Sequence, residues 1–242
     1  MKTLVIPDIH NNFRQVKELI NAENDWDEVV MLGDWFDSWY DSLEITERTA
    51  NFLKSIIHRP NYHFLYGNHD IGYAYPDNRH LTCSGFSREK SKLINSIISK
   101  QDWNIFKLYY KTQDWYLSHA GITNYVFAQP IHGITDQYLY ETCTNAMQDV
   151  VINEYNEVLG AGRCRGGSQQ IGGILWAHWS TELKPLPGIK QIVGHTQCNC
   201  PQVEYVPNKH TATGENWCID CDSKFYGEIT DGVFTAIRHL KD

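Results

Sequence analysis

No run in this 242-residue chain approaches the roughly 20 apolar residues of a membrane-spanning helix, so no membrane association is expected. No block of lysine or arginine stands out. At a formal net charge of −8, the chain lacks the basic surface that an extended nucleic-acid contact needs. A small phosphate-bearing ligand or a short single strand stays compatible with this charge, because bound metal reverses the local sign. The N-terminus, MKTLVIPDIH, has too short an apolar run for a secretion signal, and Asp8 interrupts it at once. Seven cysteines, an odd number without framework spacing over most of the chain, argue against a disulfide scaffold and for reduced thiols. A soluble, cytoplasmic protein is the resulting expectation.

What is present suits a packed core: 42% of residues are hydrophobic and 13% aromatic. There is no linker-like composition shift and no internal repeat, so one domain over 1–242 is the simplest organisation. The first third alternates between strand-like and helix-like segments. Apolar runs at 2–7, 27–32 and 62–67 read as strands. Between them, 11–23 places Phe13, Val16, Leu19 and Ile20 on one helical face, and 46–57 does so with Phe52, Leu53, Ile56 and Ile57. Such alternation predicts a parallel sheet with helices packed on it. Further on, 87–101 and about 136–159 read as helices, and 105–111 with 114–120 as an antiparallel hairpin. The glycine-rich stretch 160–173 reads as a loop. KQIVGHT, PQVEYV, ENWCIDC and GVFTAIRHL complete the pattern as strands. The fold class expected is α/β, with two β-sheets packed together.

Polar side chains collect at the ends of these strands. The first ends in Asp8 and His10, and the second runs into Asp34 and Asp37. The third ends at Asn68, His69 and Asp70, the hairpin at His119, and a later strand at His195. One aspartate before a helix is ordinarily a cap, and one histidine is ordinarily a surface or hydrogen-bonded core residue. Five strand ends bearing oxygen or nitrogen donors are not explained by capping. Ligands of open α/β sheets gather at the carboxyl ends of the strands. Burying such groups there unpaired costs several kcal/mol per charge, which dications remove.

The motifs D-x-H (Asp8, His10), G-D-x-x-D (Asp34, Asp37), G-N-H-D (Asn68–Asp70), H-A-G (His119) and G-H-T (His195), in this order, resemble the calcineurin-like metallophosphoesterases. The likeness is greatest to the serine/threonine-phosphatase branch and its bacterial and phage relatives. It runs from Asp8 to about Ile237, with ILW at 174–176 and the segment 216–238 similar to late signatures of that branch. The resemblance implies a four-layer αββα sandwich of two mixed sheets flanked by helices, and a cofactor of two divalent or trivalent metal ions. Manganese is the metal expected in vitro, with iron, zinc or nickel compatible with the same donors. One ion would take Asp8, His10 and Asp34, and the other Asp34, Asn68, His119 and His195, with Asp34 bridging. Asp37 is expected to orient a neighbour rather than to bind metal. His69 is expected to protonate the leaving oxygen and Asp70 to hold its imidazole. The reaction implied is hydrolysis of a phosphate ester through attack by a hydroxide shared between the metals.

The chain also departs from that branch. Gln197 stands where several related families carry a second histidine, which matches the phosphatase branch, where one histidine suffices. The branch's three phosphate-clamping arginines are absent: Ser38 follows Asp37, Tyr66 precedes Gly67, and Ala177 and His178 follow Trp176. Serine or tyrosine cannot replace bidentate binding of a dianion. Either other cations serve, with His178, Arg163 and Arg165 as candidates, or the substrate is a diester, or a nucleotide stacked on Trp35, Trp39 or Tyr66. A phosphomonoesterase acting on a phosphoprotein or small molecule is therefore the first expectation. A nucleotide hydrolase of the dinucleoside-polyphosphate type, or a phosphodiesterase, is the second, and a binding protein without catalysis on the same fold is the third. Cys198-x-Cys200 and Cys218-x-x-Cys221, with His210 between them, offer donors for a structural zinc, but the spacings do not match a standard zinc ribbon, and buried thiols in a strand are ordinary.

Overall fold

Alternation within short strands decides which layer each side chain enters. In β1 (Lys2–Ile6), Leu4 and Ile6 join one core cluster while Val5 joins another. β2 (Glu28–Met31) divides in the same way, Val29 and Met31 to one side and Val30 to the other. The computed structural model describes residues 1–23, 25–39, 41–127, 134–206 and 214–238. β3 (Tyr62–Phe64) pairs parallel with β2, which pairs parallel with β1. β9 (Phe225–Thr230) and β10 (Val233–Arg238) add two antiparallel strands, giving the order β10-β9-β1-β2-β3.

The second sheet begins with the expected hairpin, β4 (Tyr109–Thr112) and β5 (Trp115–Ser118). With β6 (Lys190–Val193), β7 (Gln202–Tyr205) and β8 (Glu215–Cys218) it runs in the order β4-β5-β6-β8-β7. β5, β6 and β8 are mutually parallel and β7 is antiparallel, so both five-stranded sheets are mixed. Val5, Val30, Leu32, Trp115, Leu117, Ile192, Ile229 and Phe234, from both sheets, form one buried cluster. That layer is the seam between the sheets. Glu28 reinforces it at one end, accepting hydrogen bonds from Thr3, Thr112 and Tyr110 at 2.7, 2.5 and 2.8 Å.

Helices flank the sheets. α1 (Phe13–Ala22) and α2 (Leu43–Ile56) bury Val16, Leu19, Ile20, Ala50, Leu53 and Ile56 against the outer face of the first sheet. α2 starts three residues before the expected position because the Ser42 hydroxyl accepts from Ile45 N. The helix expected over 87–101 is divided into α4 (Arg88–Ile97) and α5 (Lys100–Trp103), since Ser99 caps a new start with Asp102. The long helix expected over 136–159 is α6 (Asp136–Val151); Asn153, at φ 61°, lies just beyond its end. Two elements escaped the sequence reading. α3 (Asn68–Ala74) starts inside the third motif, and β9 contains Gly227. That glycine reads as a turn, yet a side chain there would meet the Phe234 ring at 2.5 Å, so the strand needs it. Among the described residues, no helix is long and apolar enough to cross a membrane.

Candidate metal centre

The carboxyl ends of β1, β2, β3, β5, β6 and β8 lie along one edge, and the loops leaving them are locked to one another. Ile9 N and His10 N both donate to Asp34 O, at 3.1 and 2.6 Å, and Asn11 N donates to Trp35 O at 2.9 Å. His10, Asp34, Asp37 and His195 adopt left-handed φ values of 42°, 51°, 64° and 64°. Each such non-glycine residue costs about 1–2 kcal/mol, which marks a backbone held for a purpose other than folding economy. The motif glycines are spacers. A side chain at Gly67 would come within 2.0 Å of Asp34 Oδ1, and one at Gly194 within 1.9 Å of Asp8 Oδ2.

The histidine tautomers follow from their neighbours. His119 Nδ1 faces the Leu32 carbonyl at 2.9 Å, and His10 Nδ1 faces the Phe36 and Asp37 carbonyls at 3.1 and 2.6 Å. A carbonyl only accepts, so both Nδ1 atoms carry a proton, and in the neutral ring Nε2 presents a lone pair. The His119 lone pair points at Asn68 Oδ1, 2.9 Å away, and at Asp34 Oδ2, 3.5 Å away. The His10 lone pair is 3.6 Å from that same Asp34 oxygen. His195 Nδ1 is 3.1 Å from His119 Nε2, and its Nε2 is buried without a hydrogen-bond partner among the described residues. Burial keeps His119 and His195 below their ordinary pKa, hence neutral. Lone pairs facing lone pairs are repulsive unless cations lie between them, so these residues fit a metal pair. The donor atoms fall into two groups, Asp8–His10–Asp34 and Asp34–His119–His195, sharing Asp34.

The carboxylates agree. Asp8 accepts from His195 N at 2.8 Å. Burial, with Asp220 and Asp34 beside it, pushes the Asp8 carboxyl well above its ordinary pKa. Asp220, just beyond β8, is pushed up to about 6 by burial. Burial also disfavours ionised Asp34, but the surrounding imidazoles in their acid forms, His119 foremost, hold it well down. Three carboxyl groups crowded into a buried space lack cationic charge. Sequence reading missed Asp220, although the rule that found the other sites, donors at strand ends, applies to it as well.

The expected pairing of Asp70 with His69 is corrected. Asp70 Oδ1 accepts from Trp35 N at 2.8 Å and Oδ2 from Gly67 N at 3.0 Å. Asp70 thus ties the second and third motifs together by their backbone. The carboxylate on the imidazole is that of Asp37, whose Oδ2 is 3.0 Å from His69 Nδ1. Asp37 is in turn held by the Tyr73 hydroxyl at 2.6 Å and by the Lys90 ammonium. Burial opposes a charge on His69, but Asp34 and Asp37 outweigh it and raise its pKa to about 12.

Around this centre, Arg165 extends Nη2 to His195 O at 3.3 Å and to Thr196 Oγ1 at 3.0 Å, while its buried Nε has no partner among the described residues. His178 lies close enough for Arg165, after burial, to lower its pKa, and its Nδ1 contacts Ser180 Oγ at 3.3 Å. Arg163 is on the exposed side of the same 3-10 turn, Arg163–Arg165. Trp35 and Tyr66 belong to the core, Tyr66 donating to Trp103 O at 2.7 Å, so neither can stack on a nucleotide. Trp39 is 95% exposed. Cys198 Sγ lies 3.6 Å from Cys221 Sγ and 4.0 Å from Cys218 Sγ, while Cys200 is exposed and His210 lies outside the described residues.

Two mixed sheets presenting acidic and imidazole donors at their joined carboxyl edges define a sandwich whose edge carries candidate metal-binding groups. A profile of the calcineurin-like phosphoesterases matches residues 1–198, and the chain belongs to that family. No curated protein is significantly similar to it in sequence. Solved structures share the fold. The cold-active protein-tyrosine phosphatase of a psychrophilic Shewanella species is 14% identical, with 97% of this chain and 77% of that one covered at a TM-score of 0.56. A protein serine/threonine phosphatase from Saccharomyces cerevisiae is 13% identical, covering 100% and 81% at 0.52. A candidate diadenosine tetraphosphatase is 13% identical, covering 100% and 95% at 0.52.

Proposed function

We propose that this chain hydrolyses phosphate monoesters, with Asp8, His10, Asp34, Asn68, His119 and His195 holding two cations. The observation that carries the reading is the convergence of His10 Nε2 and His119 Nε2 on one oxygen of Asp34, with His69 N on the other. When bound, such a cation pair neutralises phosphoryl oxygens and lowers the pKa of water. His69 gives its Nε2 proton to the departing oxygen, since Asp37 already occupies Nδ1. Arg165 anchors the phosphate: its guanidinium, whose Nη2 reaches His195 O, is the cation that replaces the missing clamps. His178 lines the same side. Arg163, exposed, takes no part in this reading.

A second reading, a nucleotide hydrolase, is favoured by one feature. Trp39, two residues beyond Asp37, offers a fully solvated ring on which a base can stack. Initial rates on p-nitrophenyl phosphate, bis-p-nitrophenyl phosphate and a dinucleoside polyphosphate separate these readings. The monoester is expected to be fastest. Hydrolysis of the dinucleotide alone, lost in Trp39→Ala, would transfer the assignment, and a fully metallated protein inert on all three would end both.

A further inference from the structure

We propose that Asp37 Oδ2, His69 Nδ1 and Cys83 Sγ form a third cation site, separate from the pair centred on Asp34, which takes zinc or a similarly thiophilic dication and switches the enzyme off. The inhibitory part rests on the reading of His69 as proton donor.

Geometry carries the site. His69 Nδ1 is 3.0 Å from Asp37 Oδ2 and 3.4 Å from Cys83 Sγ, and all three atoms lie within 4.8 Å of one another. Tetrahedral zinc, with bonds of about 2.0–2.3 Å, sets its ligand atoms about 3.3–3.6 Å apart. Both separations from His69 Nδ1 thus lie within a few tenths of an ångström of those a bound cation needs, and the third closes within 4.8 Å. The other oxygen of Asp37 is fixed by Tyr73 and Lys90, as ligating carboxylates are held, which leaves Oδ2, on the His69 side, to meet the cation. Cys83 is half-buried, as is His69, so solvent reaches the site. At present the thiol donates to Asn68 O at 3.3 Å, a weak contact that is readily exchanged.

The donor set selects the metal. One sulfur, one nitrogen and one oxygen suit zinc, whereas manganese and magnesium avoid thiolate. No sulfur ligand serves the centre around Asp34 among the described residues. Binding releases the protons of Sγ and Nδ1 to solvent, leaving a thiolate and an imidazole joined to the metal. With Nδ1 and Oδ2 both on the cation, the contact by which Asp37 orients the imidazole is lost, and the ring is pinned by the metal instead. The same enzyme would thus run with manganese and stop when zinc is in excess.

The test uses the full chain loaded with manganese. Cobalt(II) is added as a spectroscopic probe and zinc as inhibitor, to wild type, Cys83→Ala and Cys198→Ser. Wild type and Cys198→Ser are expected to develop a thiolate-to-cobalt charge-transfer band at one further equivalent and to lose activity to zinc. Cys83→Ala should lack the band and need about 10-fold more zinc or more for half-inhibition. Cys83→Ser repeats the comparison if the alanine variant does not fold. No band in wild type, or an equal band in both Cys83 variants, overturns the site. A band that forms without loss of activity overturns the inhibition. His69→Asn at full activity would instead sink the reading of His69 as proton donor while leaving the cobalt result standing.

Discussion

His69 Nδ1 lies 3.0 Å from Asp37 Oδ2 across 32 residues of chain, whereas Asp70, adjacent in sequence, binds only backbone N–H groups among its described hydrogen bonds. The two aspartates should therefore fail differently. Asp37→Asn is expected to lower kcat by about 10-fold or more. It should also move the alkaline limb of the pH–rate profile to lower pH, because a carboxylate that raises the His69 pKa is gone. Asp70→Asn should cost about 1–3 kcal/mol of stability with a smaller change in kcat. Paired thermal melts and pH–rate profiles separate the two; the reverse pattern would restore Asp70 as the partner.

On the proposed reading of His69 as proton donor, its replacement should leave metal binding intact. His69→Asn is expected to reduce kcat by about 10²-fold or more with full metal content by elemental analysis. Equal kcat in both proteins removes His69 from the mechanism.

Arg165 and Arg163 differ in placement, one reaching His195 and the other exposed. Arg165→Ala should raise KM for p-nitrophenyl phosphate by about 10-fold or more, the worth of a charge-assisted contact, and affect a diester less. Arg163→Ala should change neither. Equal effects would show that the loop acts only through its general charge.

Removing metal should destabilise the protein, because the facing lone pairs and crowded carboxylates remain. Manganese at about 100 times its dissociation constant should restore about 2.7 kcal/mol to chelated protein, read as a rise in Tm. Asp34→Asn should abolish most of that rise, since both donor groups share Asp34.

Glu28 gives a pH signature independent of catalysis. Burial disfavours its charge, but His63, Thr112, Thr3 and Tyr110 lower its pKa from 4.5 to about 2. A depressed carboxyl stabilises the fold fully above its unfolded pKa and loses that contribution as pH falls through the folded one. Glu28→Gln should therefore cost about 1–3 kcal/mol near neutrality, and the Tm gap to wild type should close between pH 5 and pH 2. A constant gap over that range would show that shape, not charge, matters there.

Much of the site was legible because its donors sit where strand periodicity stops. Asp8, His10, Asp34, Asn68, His119 and His195 all follow apolar runs directly, and chain order alone places them on one edge once the strands are parallel. Asp220 obeys the same rule after β8 and was passed over because cysteines dominate that segment. β9 was missed because Gly227 looks like a turn until the Phe234 ring that fills its place is seen.

The sequence by itself determined the α/β alternation, the apolar faces and the list of metal-capable side chains, because period and strand ends are local properties. Only the tertiary structure decided which carboxylate serves which imidazole, that Trp35 and Tyr66 are core rather than platform, and that Arg165 but not Arg163 reaches His195. Those outcomes depend on distances of a few ångströms between segments far apart in the chain, fixed by how two twisted sheets meet, and no local pattern of residues encodes them.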